Sequence, residues 1–128
     1  KFEDPYVNLN IPFYAALGNH DYGKYANDWK RGDYQIQYGS KNPKWVLPSH
    51  YYAWDFLNVR FIALDSSRLF WNKDVKQQEQ FVTPLMNTDQ WKVVVGHHPY
   101  ISNGSHGMQG NMMVLSSLLF LEIRLKNL

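Results

Sequence analysis

The sequence contains no cysteine. Disulfide frameworks and thiolate metal sites are therefore excluded, and redox chemistry says nothing about compartment. Charge is sparse as well. Asp, Glu, Lys and Arg make up 19% of the chain, low for an autonomous soluble domain of this size. The basic residues leave a net charge of only +2 and are scattered. They form no basic stripe of the kind that binds nucleic acid, so nucleic acid is not an expected partner. No apolar run approaches the ~20 residues that a membrane span needs, and no membrane partner is expected. No signal-peptide pattern is visible. The chain opens with Lys1 rather than methionine, so it reads as a mature form or an excerpt. No internal repeat or low-complexity segment stands out, and nothing in the sequence addresses oligomeric state.

What is present suffices for a packed core: 45% hydrophobic and 16% aromatic residues in a chain of 128. That length suits one domain or part of a larger one. The apolar run Ile11 to Leu17 ends abruptly in Gly18-Asn19-His20-Asp21, the pattern of a buried strand followed by a polar loop. The run Trp91 to Val95 ends similarly in Gly96-His97-His98-Pro99. Its three consecutive valines predict a strand buried on both faces. In α/β folds chemistry sits in loops beyond the carboxyl ends of strands. Two strands that each end in glycine and then histidine suggest two loops converging on one site.

Between them the pattern is less even. Tyr22 to Lys44 is rich in Gly, Asn, Asp, Lys and Tyr and reads as a long surface excursion, an ordered lid by its aromatic content. Trp45 to Pro48 is a short extended piece. Tyr51 to Phe56 and Val59 to Leu64 predict a β-hairpin turning at Leu57-Asn58. Asn72 to Asp74 is turn-like. Val75 to Asn87 has helical spacing, with Val75, Gln78, Phe81, Val82 and Leu85 on one side. Pro84 is expected to end or kink that helix near Val82. Beyond His106-Gly107, Leu115, Leu118, Leu119, Ile123 and Leu125 could line a broad apolar helix.

Several side chains could carry chemistry. Asn19 and His20 are competent metal ligands. A histidine can also serve as general acid, and a neighbouring aspartate such as Asp21 can fix its tautomer. The same triplet also reads as an ordinary polar turn. His97 faces whatever lies at the strand ends, or is a satisfied loop histidine. His98 points elsewhere and reads as structural. His106, in the loop Ser102 to Gly107, reads either as a site residue or as a surface histidine. His50 reads as structural, and Asp65 as a supporting partner or a helix cap.

Taken in order, Gly18-Asn19-His20-Asp21, Val94-Val95-Gly96-His97-His98-Pro99 and His106-Gly107 resemble consecutive motifs of the calcineurin-like metallophosphoesterases, most closely the purple, tartrate-resistant acid phosphatase branch. Trp45 to Tyr52, Phe61 to Ser66 and Gln77 to Phe81 resemble intervening segments of that branch. The resemblance covers about residues 2 to 107, the middle of the family domain, and leaves 108 to 128 as a divergent tail. It implies an α/β (α+β) chain, a fragment of a two-sheet sandwich flanked by helices. It implies hydrolysis of phosphate monoesters, with a phosphorylated small molecule or phosphoprotein as substrate. The alternatives are a phosphodiesterase or nucleotidase of the same superfamily, or a non-catalytic remnant of the fold. The implied cofactor is a dinuclear metal centre, iron with iron, zinc or manganese. Two cations ~3.5–4 Å apart would polarise phosphoryl oxygens and generate a hydroxide nucleophile.

Residue by residue, the resemblance makes Asn19 and His97 ligands of one metal. It makes His20 a contact to the phosphate or leaving group, Asp21 its orienting partner, and His106 a second phosphate contact. Secretion or a periplasmic location is suggested on the same ground. The family's first strand-end aspartate, its Gly-Asp-x-x-Tyr segment and its final Gly-His-x-His do not occur in these 128 residues. Gly32-Asp33-Tyr34 falls after the Asn-His motif and has Ile36 where tyrosine is required. The chain by itself is thus expected to be inactive and marginally stable, with apolar faces exposed.

Overall fold

The computed structural model describes residues 2–24 and 27–99. His106, the loop around it and the helix expected in the tail lie outside the described residues. Two small sheets carry the architecture. The first pairs β1 (Phe13–Tyr14) with β2 (Trp45–Val46) in parallel. The second has the order β3 (Tyr52–Phe56), β4 (Val59–Ala63), β5 (Trp91–Val95), with β3 antiparallel and β5 parallel to β4. Helices α1 (Arg31–Gly39), α2 (Ser66–Phe70) and α3 (Val75–Met86) connect and flank them. This mixed α/β arrangement is the one the resemblance implies.

The three-stranded sheet separates two apolar clusters, as alternating side chains require. Tyr52 and Ala63 point to one face and pack with Leu17, Tyr22 and Leu47. Tyr14 of β1 stacks on Trp54 of β3, with ring centroids 4.2 Å apart. The Tyr52 hydroxyl donates towards the carbonyls of Ala15 and Val46, at 2.9 and 3.0 Å, tying the two sheets together. Ile62 and Leu64 point to the other face and pack with Leu69 and Val82. The predicted helical stripe is that partner: Val75, Phe81, Val82 and Leu85 all lie against this cluster.

Four expectations need correction. First, the strand predicted over Ile11 to Leu17 has only Phe13–Tyr14 in the ladder, and Ile11 and Tyr14 are exposed. The backbone still follows β2, since Phe13 N–H and Ala15 N–H donate to Lys44 and Val46 carbonyls at 2.7 and 3.1 Å. Second, the excursion from Tyr22 to Lys44 contains α1. Its glycines and polar residues hid the period, and the helix is held by tertiary contacts instead. Ile36 packs on the first cluster, and Trp45 Nε1–H donates to the Gln35 carbonyl at 3.0 Å.

Third, α3 runs through Pro84 to Met86. The proline ring leaves the Gln80 carbonyl without its N–H partner four residues on, but both residues are exposed, so water can replace that bond. Fourth, β5 is covered on one face only by the described residues. Lys92 and Val94 are half-buried, whereas Trp91, Val93 and Val95 are 75%, 41% and 37% exposed. The β1–β2 pair covers the β3 side of this face. The short helix α2 had no sequence prediction.

Candidate functional site

The parallel pairing of β4 and β5 brings both carboxyl ends to one edge of the sheet. Ala63 is in register with Val95, and Leu64 N–H donates to the Val95 carbonyl at 2.9 Å. The chain then leaves β4 through Asp65-Ser66 and β5 through Gly96-His97. Across from them lies the 3-10 turn Asn19–Tyr22. That turn is closed by Asp21, whose Oδ2 accepts from the Gly18 N–H at 2.8 Å. This is the back-reaching half of a capping box.

The turn brings Asn19 against His97. Asn19 Oδ1 and His97 Nε2 are 2.9 Å apart. The approach is close: a Cβ at position 18 would stand 2.9 Å from His97 Nδ1 and push the ring from its place. The two residues singled out as ligands of one metal are therefore neighbours. His20 lies exposed on the same turn.

The pair fits part of a metal site. Both atoms are neutral donors. Two ligand atoms each about 2.1 Å from a cation, at a right angle, stand about 3 Å apart, close to the observed separation. Two neutral donors do not close a cation site, however. Among the described residues no group of three or more His, Cys, Asp and Glu side chains could hold a metal ion.

Behind the pair lies a second arrangement that the sequence did not announce. Tyr22, fully buried at the end of the turn, donates its hydroxyl to Asp65 Oδ2. His50 Nδ1 lies 2.9 Å from the same hydroxyl and 3.4 Å from Asp65 Oδ2, while His50 Nε2 lies 2.9 Å from Asp33 Oδ1. A doubly protonated imidazole uses every donor in this chain: Nε2–H to Asp33, Nδ1–H to Tyr22, and Tyr22 O–H to Asp65. The Asp65 hydrogen bond accordingly raises the His50 pKa, burial opposes it, and Asp33 adds to the rise. Burial and then Asp65 push the Tyr22 phenol well above its ordinary range. Gly32 lets α1 dock here, since a Cβ would lie 2.7 Å from the Tyr22 ring.

Asp65 is also the N-cap of α2, accepting from Arg68 N–H at 3.0 Å. Ser66 Oγ accepts the N–H groups of His97 and His98 at 3.0 and 2.9 Å and lies 3.1 Å from His98 Nδ1. The His98 ring stacks on Phe70 at 5.4 Å. Burial, and secondarily His97, lowers its pKa, which suits the acceptor role of Nδ1. His50 and His98 are both held by hydrogen bonds within the fold, and Asp65 combines the two roles its sequence position offered, capping α2 and accepting from a side chain of the Asn19 turn. Sequence reasoning missed Tyr22, Asp33 and Ser66. The spacing of Tyr22, three residues after Asn19 in a turn, was the one available signal.

The calcineurin-like phosphoesterase family matches residues 1–123. The chain belongs to that family. Among curated phosphoesterases it is similar to tartrate-resistant acid phosphatase type 5 of Rattus norvegicus, 28% identical over 132 residues. It is similar also to purple acid phosphatase 3 of Arabidopsis thaliana, 26% identical over 136 residues. Each match covers 83% of this chain, but only 38% and 35% of the respective relatives. This member of the calcineurin-like phosphoesterases thus spans little more than a third of the relatives it resembles.

Proposed function

We propose that this chain supplies the Asn19–His97 portion of a dinuclear metal site that hydrolyses phosphate monoesters. The observation that carries the reading is the 2.9 Å approach of Asn19 Oδ1 to His97 Nε2, in a chain of the calcineurin-like phosphoesterase family. Both relatives are named as acid phosphatases, which favours a monoester over a diester. The remaining ligands must come from residues other than those described.

In this reading Asn19 and His97 hold one cation through Oδ1 and Nε2. A metal pair of this kind polarises the phosphoryl group and supplies the nucleophile. His20, exposed beside the pair, contacts the phosphate or gives a proton to the departing oxygen. Asp21 acts on the turn: its carboxylate is engaged with the Gly18 N–H, and it steadies the backbone that carries His20. His106 is proposed as a second phosphate contact on sequence resemblance alone.

The test uses the full-length protein with two chromogenic substrates, p-nitrophenyl phosphate and bis-p-nitrophenyl phosphate. Hydrolysis of the monoester that is lost on chelation and restored by added metal supports the reading. Preference for the diester would replace it with a phosphodiesterase. Inactivity on both, with no metal bound, would make the chain a non-catalytic relative.

A further inference from the structure

We propose that Asp65 and Ser66 are a positioning pair that sets the separation of Asn19 and His97. The proposal rests on the reading of Asn19 and His97 as metal donors. The two residues sit at the carboxyl end of β4, between the loops that carry those donors. Ser66 acts on the His97 loop. One hydroxyl offers two acceptor sites and one donor, and here all three are matched: two N–H groups from His97 and His98, and His98 Nδ1. Asp65 acts on the Asn19 loop through the Tyr22 hydroxyl, three residues beyond Asn19.

The pair is itself fixed in space. Gln78, a buried polar residue on the apolar side of α3, clamps the Asp65 backbone from both sides. Asp65 N–H donates to Gln78 Oε1, and Gln78 Nε2–H donates to the Asp65 carbonyl, both at 3.2 Å. The Asp65 side chain is further held by Arg68 N–H. Two loops 78 residues apart in sequence thus hang from adjacent residues of one anchored turn. The adjacent Ser67 is equally buried, yet its hydroxyl has no hydrogen-bond partner among the described residues. It is an internal control for burying a serine here.

Supporting partners of metal ligands commonly change metal affinity by about ten- to a hundredfold when removed. The experiment measures amide hydrogen exchange and affinity for Zn2+ alone in the full-length protein, comparing Ser66→Ala, Ser66→Thr and Ser67→Ala. Ser66→Ala should speed exchange at the His97 and His98 amides by about fivefold or more. It should weaken Zn2+ binding by about tenfold, with Ile62 and Val82 amides as protected as in the wild type. Ser66→Thr should restore both, and Ser67→Ala should change neither. Ser66→Ala with wild-type exchange at His97 and His98 would overturn the proposal. So would loss of protection across Ile62 and Val82, which marks a core role instead. If the wild type takes no Zn2+, the metal reading falls, and the exchange data still judge Ser66 as the residue that positions the His97 loop.

Discussion

The side-chain oxygen of Asn19 lies 2.9 Å from Nε2 of His97, across 78 residues of sequence. The contact exists because β5, parallel to β4 and in register with it, carries His97 to the edge where β4 ends, and because Tyr22 of the Asn19 turn donates its hydroxyl to Asp65 at that same edge. It also exists because residue 18 has no side chain to keep the imidazole away. Gly18→Ala should therefore separate the pair. Its backbone is extended, with φ −106° and ψ 173°, so the cost comes from the ring contact and not from strain. The expected outcome is a shifted His97 imidazole resonance and metal affinity reduced by about tenfold. Unchanged His97 shifts would show that the loop absorbs the methyl.

His50 should make stability depend on pH. Its folded pKa is raised above the ordinary histidine value, chiefly by the hydrogen bond to Asp65. A group with a raised folded pKa contributes stability that is fully present below its unfolded pKa and lost as pH rises through the folded one. His50→Gln should thus be more destabilised, relative to wild type, at about pH 5.5 than at about pH 9. Urea unfolding at the two values checks this. An equal gap at both would mean that His50 is neutral throughout.

Leu57 turns the β3–β4 hairpin with φ +53° while 86% exposed. A leucine gains little there and resists the left-handed region. Leu57→Asn should raise stability by about 0.5–1 kcal/mol, read as a higher urea midpoint with an unchanged slope. A lower midpoint would show that the exposed side chain packs on something.

The outward face of β5 should be adhesive. Trp91, Val93 and Val95 alternate on one side of the strand and all remain exposed among the described residues. Contiguous apolar surface of this kind promotes association. The isolated 128-residue chain should bind a hydrophobic dye and self-associate. The double variant Trp91→Thr, Val93→Thr should do both less, at unchanged circular dichroism. A monomeric, dye-silent wild-type chain that unfolds cooperatively would contradict this.

Much of this layout was legible in the sequence, for identifiable reasons. The β3–β4 hairpin, β5 and α3 announce themselves through β-branched runs, a two-residue turn and a helical stripe. The loops of Asn19 and His97 stood out because each follows an apolar run ended by a glycine, and the two residues were singled out as ligands by their resemblance to the phosphoesterase motifs. What escaped notice depended on tertiary contacts. Helix α1 has one aliphatic side chain, Ile36, and two glycines. Gly32, which looks like a helix breaker, is what admits the Tyr22 ring. The valines of β5 suggested burial on both faces, but burial depends on what lies opposite, and the sequence of a strand does not contain that. Ser66 could not be distinguished from Ser67, because what differs is the backbone of the distant His97 loop, which donates to Ser66 Oγ, while Ser67 Oγ has no partner among the described residues.

The most direct test of the central claim is metal content in the full-length protein, measured by atomic emission alongside turnover, for His97→Ala and His20→Ala. The account predicts that His97→Ala loses metal. It predicts that His20→Ala keeps its metal and loses turnover by about a hundredfold or more. Full metal content and wild-type turnover in both variants would contradict it.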